Sequence, residues 1–387
     1  MKKLCILFDA NFDDRKGLVN AVINRAKCLK QIAPYEVEVV CLQGYPAGFN
    51  SVIRKKQRKQ RVGQVVIDGV PVRVLWYKWF LTDDIINHRL NYKPVLFELF
   101  SAYIYHELRV YDFVSAHGAS LMAYNLFKRF GIPYSVTWHG TDIHSLPYRS
   151  TYKRRLVIRI LRSAVMNFFV SNDLLSKAKL LAGSISSELS YNGVNDSFIP
   201  FDVKRRERLR EQYDVQGKKV VAFVGNIVQV KNVMVLPRVF AEVRKKYKGN
   251  VVFWIIGDGC LKSQLQEAMK NTIVDCVFWG NQTVEAMPQF YNCIDVLVLP
   301  SQNEGLGMVL LEAIKCGANA VGSKVGGIPE VIGQENSFVL DEDFSENISK
   351  RIVCMLSQHV EQTINAEFSW ETSVKKEDAV YKKYLLR

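Results

Sequence analysis

The sequence predicts an α/β protein of two doubly wound domains, each a parallel sheet covered by helices on both faces. Three observations predict it. Short, continuous apolar runs alternate with longer amphipathic stretches along the chain, as expected of strands buried on both faces of a parallel sheet. The alternation starts afresh near Lys218. The chain has 387 residues, too long for one compact core and suited to two at about 100–200 residues each. A composition of 48% hydrophobic and 23% charged residues, with 23 Gly and 11 Pro, excludes disordered and collagen-like chains.

The first strand is read at Leu4–Phe8. Lys2-Lys3 and this apolar run start like a signal peptide. The run stops at Asp9, short of the ~7–15 apolar residues of an h-region, and no small-residue cleavage site follows. A helix is expected over Leu18–Gln31 and a strand over Val37–Leu42. Val65–Asp68, Gly69 and Val70–Tyr77 read as an inserted hairpin turning at Asp68-Gly69. Strands at Phe113–Ala116, Tyr134–Trp138 and Asn167–Val170 follow, with a helix at Leu121–Phe130. The second series has strands at Val220–Val224, Val251–Ile256, Val277–Trp279, Val296–Leu299 and Phe338–Leu340. Helices at about Val233–Tyr247, Leu261–Lys270 and Met308–Cys316 alternate with them. Asn195 to Gly217 is polar, highly charged and contains Pro200, so the boundary is placed there, with domains at 1–200 and 201–370 and a terminal segment at 371–387. Two such domains would face each other across a cleft, with ligands at the carboxyl ends of the strands.

Apolar stretches are interrupted, as by Glu98 within Val95–Tyr105, and none approaches the ~18–20 residues of a membrane span. The eight cysteines are scattered, without Cys-x-x-Cys or a Cys/His cluster. Neither zinc nor a disulfide framework is expected, and a reducing, cytoplasmic setting is.

The net charge is +14, but residues 1–200 hold 28 basic and 15 acidic residues, while 201–387 hold 24 and 23. A basic first half suggests an anionic partner. Arg54, Lys55, Lys56, Arg58, Lys59 and Arg61 put six positive charges in eight residues, and Tyr152–Arg162 reads as a basic amphipathic helix. Either could meet an anionic membrane surface or simply be a solvated face.

The sharpest segment is Pro300 to Ala313, which follows a strand and opens a helix. Gly305 and Gly307 allow close approach of a ligand. Backbone N–H groups of Leu306, Gly307, Met308 and Val309 at a helix N-terminus suit a phosphate. Glu304 in the loop and Glu312 in the helix suit sugar hydroxyls, which carboxylates accept in pairs. A helix with an acidic start is the alternative. Gly225-Asn226 to Lys231 lies at a second strand–helix junction, where Lys231 is either a phosphate-binding cation or a solvated lysine. Gly257-Asp258-Gly259 lacks the third glycine of a dinucleotide fingerprint, having Lys262 at its position, and reads as a tight turn. His139, in Trp138-His139-Gly140-Thr141-Asp142, ends a strand and is either a donor to a sugar hydroxyl or phosphate or a structural or merely exposed histidine. The loop Ala10–Lys16, ending at Gly17, could bring a second helix N-terminus to a phosphate.

Together these segments resemble the retaining glycosyltransferases of family 4. Glu304 and Glu312 match its Glu-x7-Glu motif. Gly322–Glu330, Ile256–Gly259, Ser190–Val194 and Phe368–Glu371 resemble further motifs, in order along nearly the whole chain. The resemblance implies the GT-B fold, with a C-terminal helix crossing back to the first domain. It implies catalytic roles for His139, Glu304 and Lys231, with Glu304 on the donor sugar. The diphosphate is held by Gly17, Asn226, Lys231 and Gly305–Val309, and the ribose by Glu312. Gly280, Asn281, Gln282 and Thr283 line the base pocket. The family often has Arg where Asn226 stands, so Lys231, helix dipoles or Lys324 would compensate.

The implied reaction moves a sugar from a nucleotide-sugar, of UDP or GDP type, to a hydroxyl of a glycan or lipid-linked acceptor with retained configuration. Charge developing on the leaving phosphate is stabilised by N–H groups and Lys231. No cofactor and no metal is expected; Asp341-Glu342-Asp343 has an Asp-x-Asp form but precedes a helix, where exposed acids are common. A nucleotide-sugar epimerase of the same build is the alternative. A nucleic-acid partner is suggested by charge alone and is not expected, because no reading motif accompanies it.

Overall fold

The computed structural model describes residues 1–9, 17–46, 62–79, 102–272, 274–358 and 360–386. It forms two units: Met1–Gly193 with Ser369–Arg387, and Val194–Phe368.

Unit 1 contains β1 (Lys3–Asp9), α1 (Gly17–Ile32), β2 (Glu36–Pro46), β3 (Val62–Ile67), β4 (Val70–Trp79), α2 (Ala102–Leu108), β5 (Phe113–His117) and α3 (Leu121–Phe130). After these come β6 (Tyr134–Trp138), α4 (Thr141–His144), α5 (Thr151–Ser163), β7 (Met166–Phe169), α6 (Asn172–Ala182) and β8 (Ser187–Leu189). The sheet order is β3-β4-β2-β1-β5-β6-β7-β8. All its pairings are parallel except β3–β4. That hairpin turns as expected at Asp68-Gly69, whose φ values of 47° and 79° suit a type I′ turn.

The last helix, α14 (Trp370–Leu385), belongs to unit 1. Its Val374, Val380, Tyr381 and Leu385 join the core formed by β1, β2 and α1. Polar groups buried there are paired. Arg25 Nε donates to Glu377 Oε1 at 2.8 Å, Nη1 to Asn192 Oδ1 at 2.6 Å and Nη2 to the Ser190 carbonyl at 2.9 Å. Tyr35 donates to Asp378 Oδ1 at 2.6 Å. A buried guanidinium is tolerated only when its donors are satisfied in this way.

Unit 2 runs α7 (Val203–Gln212), β9 (Lys219–Val224), α8 (Leu236–Lys246), β10 (Val251–Ile256), α9 (Lys262–Lys270), β11 (Cys276–Gly280), α10 (Met287–Cys293) and β12 (Val296–Leu299). It continues through α11 (Met308–Lys315), β13 (Asn319–Ser323), α12 (Ile328–Ile332), β14 (Ser337–Phe338) and α13 (Phe344–Ser357). The parallel order is β11-β10-β9-β12-β13-β14.

Several expectations are corrected. The units divide at Gly193/Val194 and Phe368/Ser369 rather than at 200 and 370. Residues 199–201 are tied into unit 2, because Asn292 donates to the Ile199 carbonyl at 3.0 Å and accepts from Phe201 N–H at 2.7 Å. Gly193 lies so close to Trp370 that a Cβ would collide with it, which keeps Trp370 with unit 1. The expected boundary stretch contains α7, capped by Asp202, which accepts from Arg205 N–H at 2.9 Å. Leu209 is that helix's buried residue, so no apolar period marks it. Strand β13, Asn-Ala-Val-Gly-Ser, lacks the apolar run that marks its neighbours, and β8 has three residues. The helix expected from Val233 starts as a 3₁₀ turn over Val233–Val235, with α8 following and Pro237 in its first turn.

Candidate active site

In unit 2 the chain crosses in opposite directions from β9 and β12, which are neighbours in the sheet. The loops leaving their carboxyl ends therefore flank a topological switch point, the ordinary place for a ligand. The first loop carries Lys231 and the second Glu304, and Lys231 Nζ pairs with Glu304 Oε2. Ser301 Oγ donates to the same oxygen at 3.3 Å. Gln302 N–H donates to the Val230 carbonyl at 2.8 Å, tying the loops together. Two residues expected to act separately, a phosphate cation and a sugar carboxylate, thus neutralise each other here.

Gly307 caps α11 at φ 89° and provides no capping side chain. Leu306 turns its side chain into the core. The N–H groups of Met308 and Val309 have no intrahelical acceptor, and a Cβ on Gly307 would press on Leu310 Cδ1 at 3.0 Å. The loop after β13 closes on this region. A Cβ on Gly326, whose φ is 54°, would collide with the Glu304 carbonyl, so a glycine there sets how Glu304 is presented. Gly257 and Gly259 likewise admit the backbone of Gly225 and Ile227. Their role is close packing of two loops as well as the expected turn. Asn226 is exposed in that loop.

Glu312 Oε2 accepts from the buried Tyr291 hydroxyl at 2.8 Å. Burial pushes the Glu312 carboxyl up to about 7, against that hydrogen bond, which lowers it. Gly280, at φ 68°, accepts from Gly257 N–H at 2.8 Å. Gln282 Nε2 folds back onto the Trp279 carbonyl at 2.7 Å, and the Thr283 carbonyl accepts from Ala286 N–H at 3.1 Å. Asp341 Oδ1 accepts from Asp343 N–H at 3.1 Å just before α13, an ordinary turn.

In unit 1, His139 follows β6. Asp142 accepts from His139 N–H at 3.1 Å and Gly140 N–H at 2.9 Å, clamping that corner. His139 Nε2 lies 3.0 Å from His117 Nδ1. Burial, then the charge of Arg25, pushes His139 down to about 3. Gly17 opens α1, while the loop Ala10–Lys16 and the basic run Arg54–Arg61 lie outside the described residues.

Residues 205–366 match the family described as glycosyl transferases group 1, and residues 26–176 match the glycosyl transferase 4-like domain. The chain belongs to the glycosyltransferases. A Bacillus subtilis protein named for teichuronic acid biosynthesis is 24% identical to this glycosyltransferase over 327 residues, covering 82% of this chain and 79% of its own. Sucrose-phosphate synthase from Thermosynechococcus elongatus has a TM-score of 0.74 at 14% identity, covering 99% of both chains. Anabaena HepE in complex with UDP and glucose has a TM-score of 0.66 at 18% identity, covering 100% of this chain and 96% of its own. The fold of this glycosyltransferase is GT-B.

Tyr291 and His117 join the site through the structure, outside the motifs read from sequence. His117 carries the same signal as His139, a histidine at a strand's carboxyl end. Tyr291 carries none, because it meets Glu312 only through the packing of α10 near α11.

Proposed function

We propose that this glycosyltransferase moves a sugar from a nucleotide-sugar to a hydroxyl of a glycan or lipid-linked acceptor, with retained anomeric configuration and without a metal. The carrying observation is the Lys231–Glu304 pair beside the uncapped start of α11. An arriving diphosphate competes for Lys231 and accepts from the N–H groups at Leu306–Val309, releasing Glu304 toward sugar hydroxyls. Donors aimed at the leaving phosphate are worth about 10²–10³-fold in rate each. Glu312 holds the ribose, and the backbone at Gly280–Thr283 faces the base. His139 donates to the sugar near the reacting carbon. The leaving phosphate takes the acceptor's proton as the new bond forms on the face from which the old one departs. The Anabaena complex makes UDP-sugars the first donors to try, and the teichuronic acid relative points to cell-surface polysaccharide.

The protein works in the cytoplasm, attached to the inner membrane face. Supporting this, α5 has five basic and no acidic residues and packs between α3 and α6. Arg154, Arg155, Arg159 and Arg162 are exposed there, and Tyr148 and Leu180 expose 67% and 87% of their surfaces. Each such cation contributes up to about 1 kcal/mol at an anionic leaflet. Among the described residues no helix is long and apolar enough to cross a membrane.

Incubation with UDP- and GDP-sugars, a polyprenyl-linked acceptor and EDTA tests the chemistry. Release of nucleoside diphosphate with a product of the donor's anomeric configuration is expected. An inverted product, or activity only with added metal, overturns the corresponding part. Sedimentation with phosphatidylglycerol vesicles at low salt tests attachment; failure to bind rejects it.

A further inference from the structure

His117 ends β5, and its neighbour across the parallel register is Thr137 of β6, two residues before His139. The two imidazoles consequently lie side by side. His117 Nδ1 is 3.0 Å from His139 Nε2, with the ring centroids 5.3 Å apart and the planes 23° from parallel. His117 is 5% exposed. The backbone on both sides is also held. Gly118 turns at φ 85° and donates to the Thr137 carbonyl at 2.9 Å, while Asp142 grips His139 and Gly140.

Burial keeps a proton off both rings, reinforced at His139 by the charge of Arg25 and at His117 by His139 and then Arg25, so each is neutral at pH 7. Two neutral imidazoles meeting at one N···N contact share one hydrogen. Either His139 Nε2 donates and His139 Nδ1 is a bare acceptor, or His117 donates and His139 Nδ1 carries the hydrogen. An isolated neutral imidazole exchanges these forms alone, whereas here both rings must switch together, and donation from His139 to the sugar, as proposed above, needs the second form, with His117 Nδ1 donating.

We propose that His117 is a positioning residue for sugar transfer: its Nδ1 holds His139 in one ring orientation and one tautomer, so that the remaining nitrogen meets the donor as a group of fixed character. The hold on the ring is a property of unit 1 alone, while its consequence for transfer rests on the function proposed above.

Two substitutions separate positioning from packing. His117→Asn keeps a polar atom near the Nδ1 position, whereas His117→Gln places its amide near Nε2 and leaves Nδ1 unreplaced. Losing one hydrogen bond of this kind should lower kcat about tenfold in His117→Gln. Donor KM and UDP affinity should stay unchanged, with most of the rate restored in His117→Asn. In 15N-histidine-labelled full-length protein, His139 should show one protonated and one bare nitrogen, with signals that average in His117→Gln. Equal losses in both variants, tracking their thermal stability, would overturn the proposal. So would averaged His139 nitrogens in the wild type. A wild-type protein that transfers no sugar yet shows the locked tautomer rejects the transfer function and upholds the hold of His117 on His139.

Discussion

The two units place their candidate residues alike, at the carboxyl ends of parallel strands, but handle charge in opposite ways. Unit 1 contains 33 basic and 17 acidic residues and unit 2 contains 19 and 21. Yet the strongly basic unit carries an uncharged pair, His117 and His139, and the nearly neutral unit carries the ionic pair Lys231–Glu304. In unit 1 the nearby cation, Arg25, is buried and fully engaged by Glu377, Asn192 and Ser190. In unit 2 the cation stands on a loop with Glu304 as its partner, which the proposed diphosphate would replace. Net charge thus describes a unit's surface, while its site depends on which charges are buried and with what.

Breaking the buried pair of unit 1 should have the largest effect. Arg25→Met leaves Glu377 buried without its cation, which should cost about 3–5 kcal/mol in a denaturant titration. Arg25→Met with Glu377→Leu should recover much of it. An unchanged midpoint in the single variant would remove the contrast with unit 2.

Lys231→Ala and Glu304→Ala test the ionic side. Each should lower transfer by about 10²–10³-fold in initial-rate assays, with melting temperature falling by only a few degrees. Wild-type turnover in both would dismiss the pair as machinery.

A smaller effect is expected from Glu312. In the role proposed for it, its ionised form accepts ribose hydroxyls, so UDP affinity measured by calorimetry should rise as pH passes about 7. Tyr291→Phe removes the hydrogen bond that favours the carboxylate and should move this rise to higher pH.

The two sites should also pull stability in opposite directions with pH. Glu312, raised from 4.5 to about 7, contributes stability that is present below 4.5 and lost as pH rises through 7. His139, lowered from 6.5 to about 3, contributes stability present above 6.5 and lost as pH falls toward 3. Glu312→Gln and His139→Asn should each flatten its own window in thermal melts.

The fold was legible because its signals are local. Val220–Val224 and Val251–Ile256 are apolar on both faces and need no partner to be read as buried parallel strands. Asp68-Gly69 reads as a turn because few other dipeptides accept positive φ twice. Helix α7 escaped because its stability rests on a cap and one buried leucine rather than on an apolar period, and β13 because two central apolar residues between Asn and Gly-Ser are too few to stand out.

Two parallel-sheet units, and the strand–loop–helix junctions at which His139, Lys231, Glu304 and Glu312 stand, are legible before any folding. Chain connectivity and hydrophobic periodicity decide those, and both are written along the chain. The tertiary structure alone decided the partners: Glu304 for Lys231 across 73 residues, Tyr291 for Glu312, His117 for His139 and Glu377 for Arg25 across 352. Whether a carboxyl is ionised or an imidazole neutral depends on burial and on charges brought close by packing. Those distances exist only once the sheets have formed.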